Sequence, residues 1–193
     1  QSLESWIMYI PGLYLVMPSN PNDAYHLLRE ALKTNTPTVF IEHKMLYNFQ
    51  GHLDKSNKIE FGSANIIKKG KDISIVTYSR MTNYALEAAL QLEKNNISVE
   101  IIDLRTLNPL DKNTIIDSVK KTKHALVLSE GHYTSGVASE ITSIIFENCF
   151  KLLNKPVIRY TAEDTPVPVA PNLEKNYIPT VENIIKYCKD ILK

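Results

Sequence analysis

Four short apolar runs, DISIVTYS (72–79), SVEIIDL (98–104), HALVLSE (124–130) and PVIRYT (156–161), alternate with segments whose apolar residues recur every three or four positions. Runs of strand length alternating with helix-period segments leave few ways to bury the apolar sides. Parallel neighbours need a long crossover, and the crossover is the helix. The pattern therefore predicts an α/β fold: a three-layer, open, mostly parallel sheet with right-handed crossovers and helices on both faces. The expected helices are 81–95, one capped by Asp111, one from about Gly136 and one from near Thr180. The proline-rich EDTPVPVAP is expected to cross the surface without regular structure.

The first fifty residues repeat the pattern on a smaller scale. Leu3, Trp6, Ile7 and Ile10 form an apolar stripe, so residues 1–10 read as the end of a helix broken by Pro11-Gly12. LYLVM (13–17) is of strand length, Asn20 can cap a helix with Pro21 in its first turn, and TVFIEH (38–43) is a second strand. Two strands and one whole helix are too few to bury a core alone. We expect residues 1–47 to be the C-terminal remnant of one domain, 48–63 a linker and 64–193 a complete second domain. On this reading the chain starts inside a domain.

Charge narrows the partners. With 22 basic against 21 acidic side chains, the chain lacks the clustered excess that phosphate backbones require. KKGK (68–71) and KKTK (120–123) sit beside expected turns and read as solvated lysines. No nucleic acid partner is expected. No apolar run approaches the roughly 20 residues of a membrane span. Cys149 and Cys188 fall on apolar helix stripes without a CxxC, which reads as buried free thiols in a reducing compartment.

Glycine-rich phosphate loops, HExxH and GxSxG are all missing. Polar residues at expected strand ends are the remaining candidates, because open α/β sheets bind ligands there. Arg80 in YSR could meet an anion, cap a carbonyl or pair with a neighbouring subunit. In DLRTLNPLD, Arg105 sits where a strand ends, and Asn108-Pro109 followed by Asp111 reads as a turn plus helix cap. Glu130 and His132 in SEGHYTSG could do acid–base work, line a solvated loop or touch another subunit. Glu42 and His43 end a strand but have no visible third group.

Seven stretches taken in order, SLESWIMYIPGL, VMPSNPNDAYHLL, EHKMLYN, VTYSRM with ALEAA, VEIIDLRTLNPLD, SVKKTKHALVL and DTPVPVAPNLEKNYIP, resemble the β subunit of thiamin diphosphate-dependent 2-oxo acid dehydrogenases of the pyruvate, acetoin and branched-chain type. The resemblance covers essentially the whole chain. It implies the tail of a pyrimidine-binding domain followed by a transketolase C-terminal-like domain. The implied complex decarboxylates a 2-oxo acid, most simply pyruvate or acetoin as substrate, and acylates lipoyl groups. Its cofactors are thiamin diphosphate and Mg, the diphosphate and Mg being held by the α subunit.

The family's active-site histidine and cofactor-activating glutamate precede Gln1, so the resemblance transfers no catalytic or cofactor-binding residue here. The piece alone is expected to be inactive, serving assembly and docking. Backbone carbonyls of Ala31, Thr34 and Thr36 match positions that hold potassium in some members. Asn154 stands at a family position that is acidic where the peripheral subunit-binding domain of the acyltransferase docks, and Lys193 is near the family's end. Glu130, His132 and Gly136 fall in the stretch expected to meet a second β subunit. A bacterial cytoplasm, or an organelle matrix, fits these readings. A deoxyxylulose-phosphate synthase or transketolase relative, and a free-standing non-catalytic α/β interaction module, remain alternatives.

Overall fold

The computed structural model describes residues 2–193. The order of elements is α1 (Glu4–Met8), β1 (Tyr14–Val16), α2 (Pro21–Ala31), β2 (Thr38–Phe40), β3 (Asn65–Lys68), β4 (Ile73–Thr77), α3 (Arg80–Glu93), β5 (Val99–Asp103), β6 (Thr106–Asn108), α4 (Lys112–Thr122), β7 (Ala125–His132), α5 (Val137–Cys149), β8 (Ile158–Ala162), α6 (Pro171–Tyr177) and α7 (Val181–Ile191). Local chemistry sets the helix starts. Asn20 and Asp111 accept the backbone N–H of Asp23 and Thr114, and Thr180 accepts that of Asn183.

Five strands form one sheet in the order β3-β5-β4-β7-β8, parallel except for β3 on β5. Strand alternation sorts the core into two layers. Val76, Ile102 and Val127 face α4 and α5, meeting Ile115, Val119, Ile141 and Ile145. Ile75, Ile101 and Leu126 face α3 and α7, meeting Ala85, Leu92, Ile184 and Cys188. Both cysteines are buried free thiols, with burial pushing Cys188 up to about 12. This is the three-layer open sheet expected.

The first segment does not stand apart. β1 pairs with β2 in parallel and, on its other side, with β6 antiparallel. Leu15 and Met17 enter the core that contains Leu107 and Ile115. Residues 48–63 are largely without regular structure, yet they are tied down: His26 Nε2 lies 2.7 Å from Asp54 O, and Ile59 packs with Val16 and Leu27.

The structure departs from these expectations in detail. β3 and β6 were not expected; they are short antiparallel strands, and β6 falls where a turn was read. α6 is an added helix: it follows the proline-rich stretch, which has no regular structure up to residue 170, and Pro171 starts it. The helix expected over 1–10 is limited to α1, Gln1 lying outside the described residues. Its stripe is also split: Ile7 packs against the large core, whereas Leu3, Trp6 and Ile10 are exposed. Trp6 is 75% exposed, whereas Glu4 is 3% exposed. Glu4 turns inward because Tyr78, 74 residues on, donates to it at 2.9 Å.

Candidate functional site

The carboxyl ends of β4 and β7 meet the end of β2 and the start of α1 around one cavity of about 590 Å³. Its walls include Glu4, Ile7, Ile41, His43, Tyr78, Ser79, Arg80 and Glu130, with Val167, Tyr177 and Ile178 from the proline-rich strap. Such a crevice at strand ends is where open α/β sheets place ligands.

Two hydrogen-bond systems organise its polar wall. In the first, Tyr78 Oη donates to Glu4 Oε1 at 2.9 Å and lies 2.8 Å from Ser129 Oγ, which accepts Gly131 N–H at 3.1 Å. Burial lifts the Glu4 carboxyl above the usual range despite the Tyr78 bond. Burial and the adjacent Glu4 carboxylate push the Tyr78 phenol well above its ordinary value.

The second system is ionic. Glu130 Oε2 is 2.9 Å from His43 Nε2, and Glu130 Oε1 is 3.3 Å from Arg80 Nη1. Burial raises the Glu130 pKa, but the His43 hydrogen bond and the nearby Arg80 charge outweigh it, so the carboxyl lies below its ordinary range. The His43 tautomer follows from geometry. Nδ1 accepts the Met45 N–H at 3.1 Å, so Nε2 carries the proton and donates to Glu130. Both ring nitrogens are engaged. His43 is therefore a tether between the first segment and the large sheet, with no free nitrogen for proton transfer.

The structure separates residues that adjacency in sequence suggested together. Glu130 faces the cavity, whereas His132 Nδ1 lies 3.1 Å from Glu163 O and 3.2 Å from Tyr177 Oη. The acid–base pair Glu130–His132 does not form, because each has its own partners. Arg80, read as an anion contact, a cap or an intersubunit pair, is committed within the chain to Glu130 and Tyr84. Gly136 starts α5, and a Cβ there would sit 2.2 Å from His132 O, so close backbone approach accounts for the glycine.

Ala31, Thr34 and Thr36 share the turn that ends α2, where helix carbonyls concentrate negative potential. The Thr36 carbonyl there accepts Thr38 Oγ1 at 3.1 Å. Asn154 is exposed; its N–H donates to Lys123 O at 3.1 Å, and its side-chain amide lies 3.4 Å from His124 Nε2. Lys193 is 77% exposed and pairs with Asp190 at 2.7 Å. Among the described residues, no three His, Cys, Asp or Glu side chains are placed to hold a metal ion, and no helix is long and apolar enough to cross a membrane.

Reading the sequence missed Glu4, Tyr78 and Ser129. The signal for Tyr78 and Ser129 was available, since each ends an apolar strand run. Glu4 was hidden by the apolar stripe around it.

An open α/β sheet carrying an interrupted second sheet at its strand ends defines a transketolase-type architecture. The chain belongs to the transketolase C-terminal domain family, which matches residues 62–184, and the transketolase pyrimidine-binding domain matches residues 1–50. It is 40% identical over 100% of its length to the Cupriavidus necator acetoin:2,6-dichlorophenolindophenol oxidoreductase subunit beta, covering 57% of that protein. It is 38% identical to the Bacillus subtilis protein of the same name, over 100% of this chain and 56% of that one. It is 39% identical over 98% of its length to the mitochondrial pyruvate dehydrogenase E1 component subunit beta-1 of Oryza sativa, covering 52% of it. The chain thus spans little more than half the length of these relatives. Its fold also matches a solved split gene transketolase, an inactive beta4 tetramer, at TM-score 0.80 and 20% identity over 100% of this chain and 62% of that one.

Proposed function

We propose that this chain is the C-terminal part of the β subunit of a 2-oxo acid dehydrogenase component acting on pyruvate or acetoin. The observation that carries the reading is unbroken similarity, 38–40% identity across 98–100% of the chain, to β subunits of acetoin and pyruvate enzymes. The complete enzyme would use thiamin diphosphate with Mg to cleave the carbon–carbon bond beside the substrate carbonyl, with CO2 leaving from pyruvate or acetaldehyde from acetoin, and would pass the remaining acyl group to the disulfide of a lipoyl arm.

The residues present do not by themselves make a cradle for thiamin diphosphate. In the cavity, Glu130 is committed to His43 and Arg80, and Glu4 to Tyr78. No catalytic step is assigned to this chain. Its contribution is assembly, with an α subunit and a second β subunit as partners in a heterotetramer. Glu130, His132 and Gly136 lie at or beside the cavity walls, where the β7–α5 loop meets α1. Asn154 and Lys193 are the proposed contacts for the peripheral subunit-binding domain of the acyltransferase. Potassium on the Ala31, Thr34 and Thr36 carbonyls suits the chemistry of a helix end, which supplies oxygen ligands of partial negative charge. A bacterial cytoplasm is the proposed location, with an organelle matrix as the alternative.

The test is purification of the natural gene product with whatever copurifies, followed by dye reduction with pyruvate, acetoin and a branched 2-oxo acid. Thiamin diphosphate-dependent turnover of pyruvate or acetoin by a complex containing a second, α-type chain is the expected result. A purified product that stays free of an α-type chain and turns over none of the three would overturn the reading.

A further inference from the structure

Asp103 ends β5 and is fully buried. One carboxyl oxygen contacts the Ser19 hydroxyl, and the other accepts the Arg105 N–H at 3.2 Å. Ser19, 2% exposed, lies in the loop between β1 and α2, so the first contact joins the initial segment to the large sheet. The only guanidinium at the cluster is already used. Arg105 Nε and Nη2 each lie 2.9 Å from an oxygen of Asp23, and Asp23 is 1% exposed. Asn20 Nδ2 donates to Asp23 as well, at 2.9 Å.

The cluster thus contains two buried carboxyls and one cation. Asp23 takes the two-pronged contact, and Asp103 is left with a hydroxyl and a backbone N–H. A buried carboxylate with no countercharge is costly, and taking up a proton relieves it. The charged groups facing Asp103 are Asp23 from α2 and Arg105 beyond β5. From α3, neutral Asn83 donates to Ser19 O at 3.1 Å, and β4 places neutral Thr77 at the paired register position. Ser19 can serve either protonation state, because a hydroxyl both donates and accepts.

We propose that Asp103 is a proton-dependent latch between the segment carrying β1 and α2 and the carboxyl end of the large sheet. Neutral, it clips Ser19 and the start of α2 to β5. Ionised, it leaves a buried charge that opening of this segment relieves. α2 is the element that yields, because its apolar anchorage is small: Leu27 packs with Val16 and Ile59, whereas the sheet is held by two much larger clusters.

Burial first, then the Asp23 charge, raise the Asp103 pKa to about 7 against the lowering effect of the Ser19 bond. The opened segment would return Asp103 to an ordinary aspartate near about 3.9. Opening therefore becomes easier as pH rises between those values, roughly tenfold per pH unit, and levels off above the folded value.

The experiment is hydrogen exchange followed by mass spectrometry, on the protein as its cells make it, from pH 5 to 7 and corrected for intrinsic exchange. We expect the opening constant of peptides from 17–31 to rise about 50-fold over that range in the wild type. Peptides from β4 should change little, and D103N should abolish the rise. Equal pH dependence in wild type and D103N, or no dependence in either, would overturn the latch. Carboxyl carbon NMR of Asp103 in the wild type reads the same claim without a variant. A midpoint near neutrality supports it, and one below about 5, close to an ordinary aspartate, overturns it.

Discussion

At the amino end of β4, Ser74 Oγ lies 2.6 Å from Ser118 Oγ and 2.7 Å from Thr122 Oγ1, while Glu100 beside it accepts Ser118 Oγ at 2.5 Å and pairs with Lys121. At the carboxyl end, Tyr78 contacts Glu4 and Ser129, and Glu130 contacts His43 and Arg80. Both are buried polar networks built on the same sheet. The first uses residues of β4, β5 and α4 only, and with the Gly70 N–H it saturates one carboxylate. It fixes α4 on the sheet. The second draws on α1, the end of β2, the β4–α3 junction and β7, and it lines a cavity. A network whose members come from one α/β unit can be read as packing; one that recruits four separate segments around open space marks the place where units meet and ligands or partners arrive.

The largest difference should come from cutting each network at its charge. Glu130, His43 and Arg80 have side chains 21%, 23% and 14% exposed. E130A strands two donors at once and is expected to cost about 2–3 kcal/mol in chemical unfolding. It should also free residues 42–46 for faster hydrogen exchange. K121M removes the partner of Glu100, but Lys121 is 49% exposed, so water and salt already weaken that pair. Its cost should be about 1–2 kcal/mol and confined to α4. A K121M loss larger than that of E130A would reverse the ranking and make the amino-end network the stronger joint.

pH sharpens the contrast inside the cavity wall, where two glutamates shift in opposite directions. Glu130 is held below the ordinary carboxylate range, so its contribution is present above that range and disappears as pH falls through its folded value. Glu4 is held above it, chiefly by burial, so it brings a penalty absent in acid that grows as pH rises past the ordinary value. E4Q should therefore gain on the wild type between acid and neutral pH, while E130Q should lose. Thermal melts across that range read both slopes; parallel slopes for the two variants would show that the wall titrates as one unit.

These networks also measure how far sequence reasoning reached. The four parallel strands of the large sheet were legible because each is a continuous apolar run and each helix between them repeats at its own period. Asn20 and Asp111 were legible as caps because capping is local, the acceptor and its N–H lying three residues apart. NIIK and TLN carry no run long enough to announce a strand, and their pairing partners are distant in the chain. The His43–Glu130 contact and the Asp103–Ser19 contact are tertiary, and no spacing rule encodes them. Glu4 was missed because an inward carboxylate beside the exposed Leu3 and Trp6 inverts the usual inference about which side chains are buried.

The smallest effect belongs to the exposed pair at the chain's end. Lys193 and Asp190 stand three residues apart at the end of α7, with side chains 77% and 41% exposed and a 2.7 Å contact. Such i,i+3 pairs in water contribute little, because the Coulomb gain is screened and two flexible side chains must be ordered. K193A should change stability by less than about 0.5 kcal/mol, well below the two buried networks. That silence makes it informative. A weaker interaction between K193A and an acyltransferase subunit-binding domain, measured by calorimetry, would then report docking and not folding. A melting temperature lowered by several degrees would instead place Lys193 in the support of α7 and remove it from the proposed contact surface.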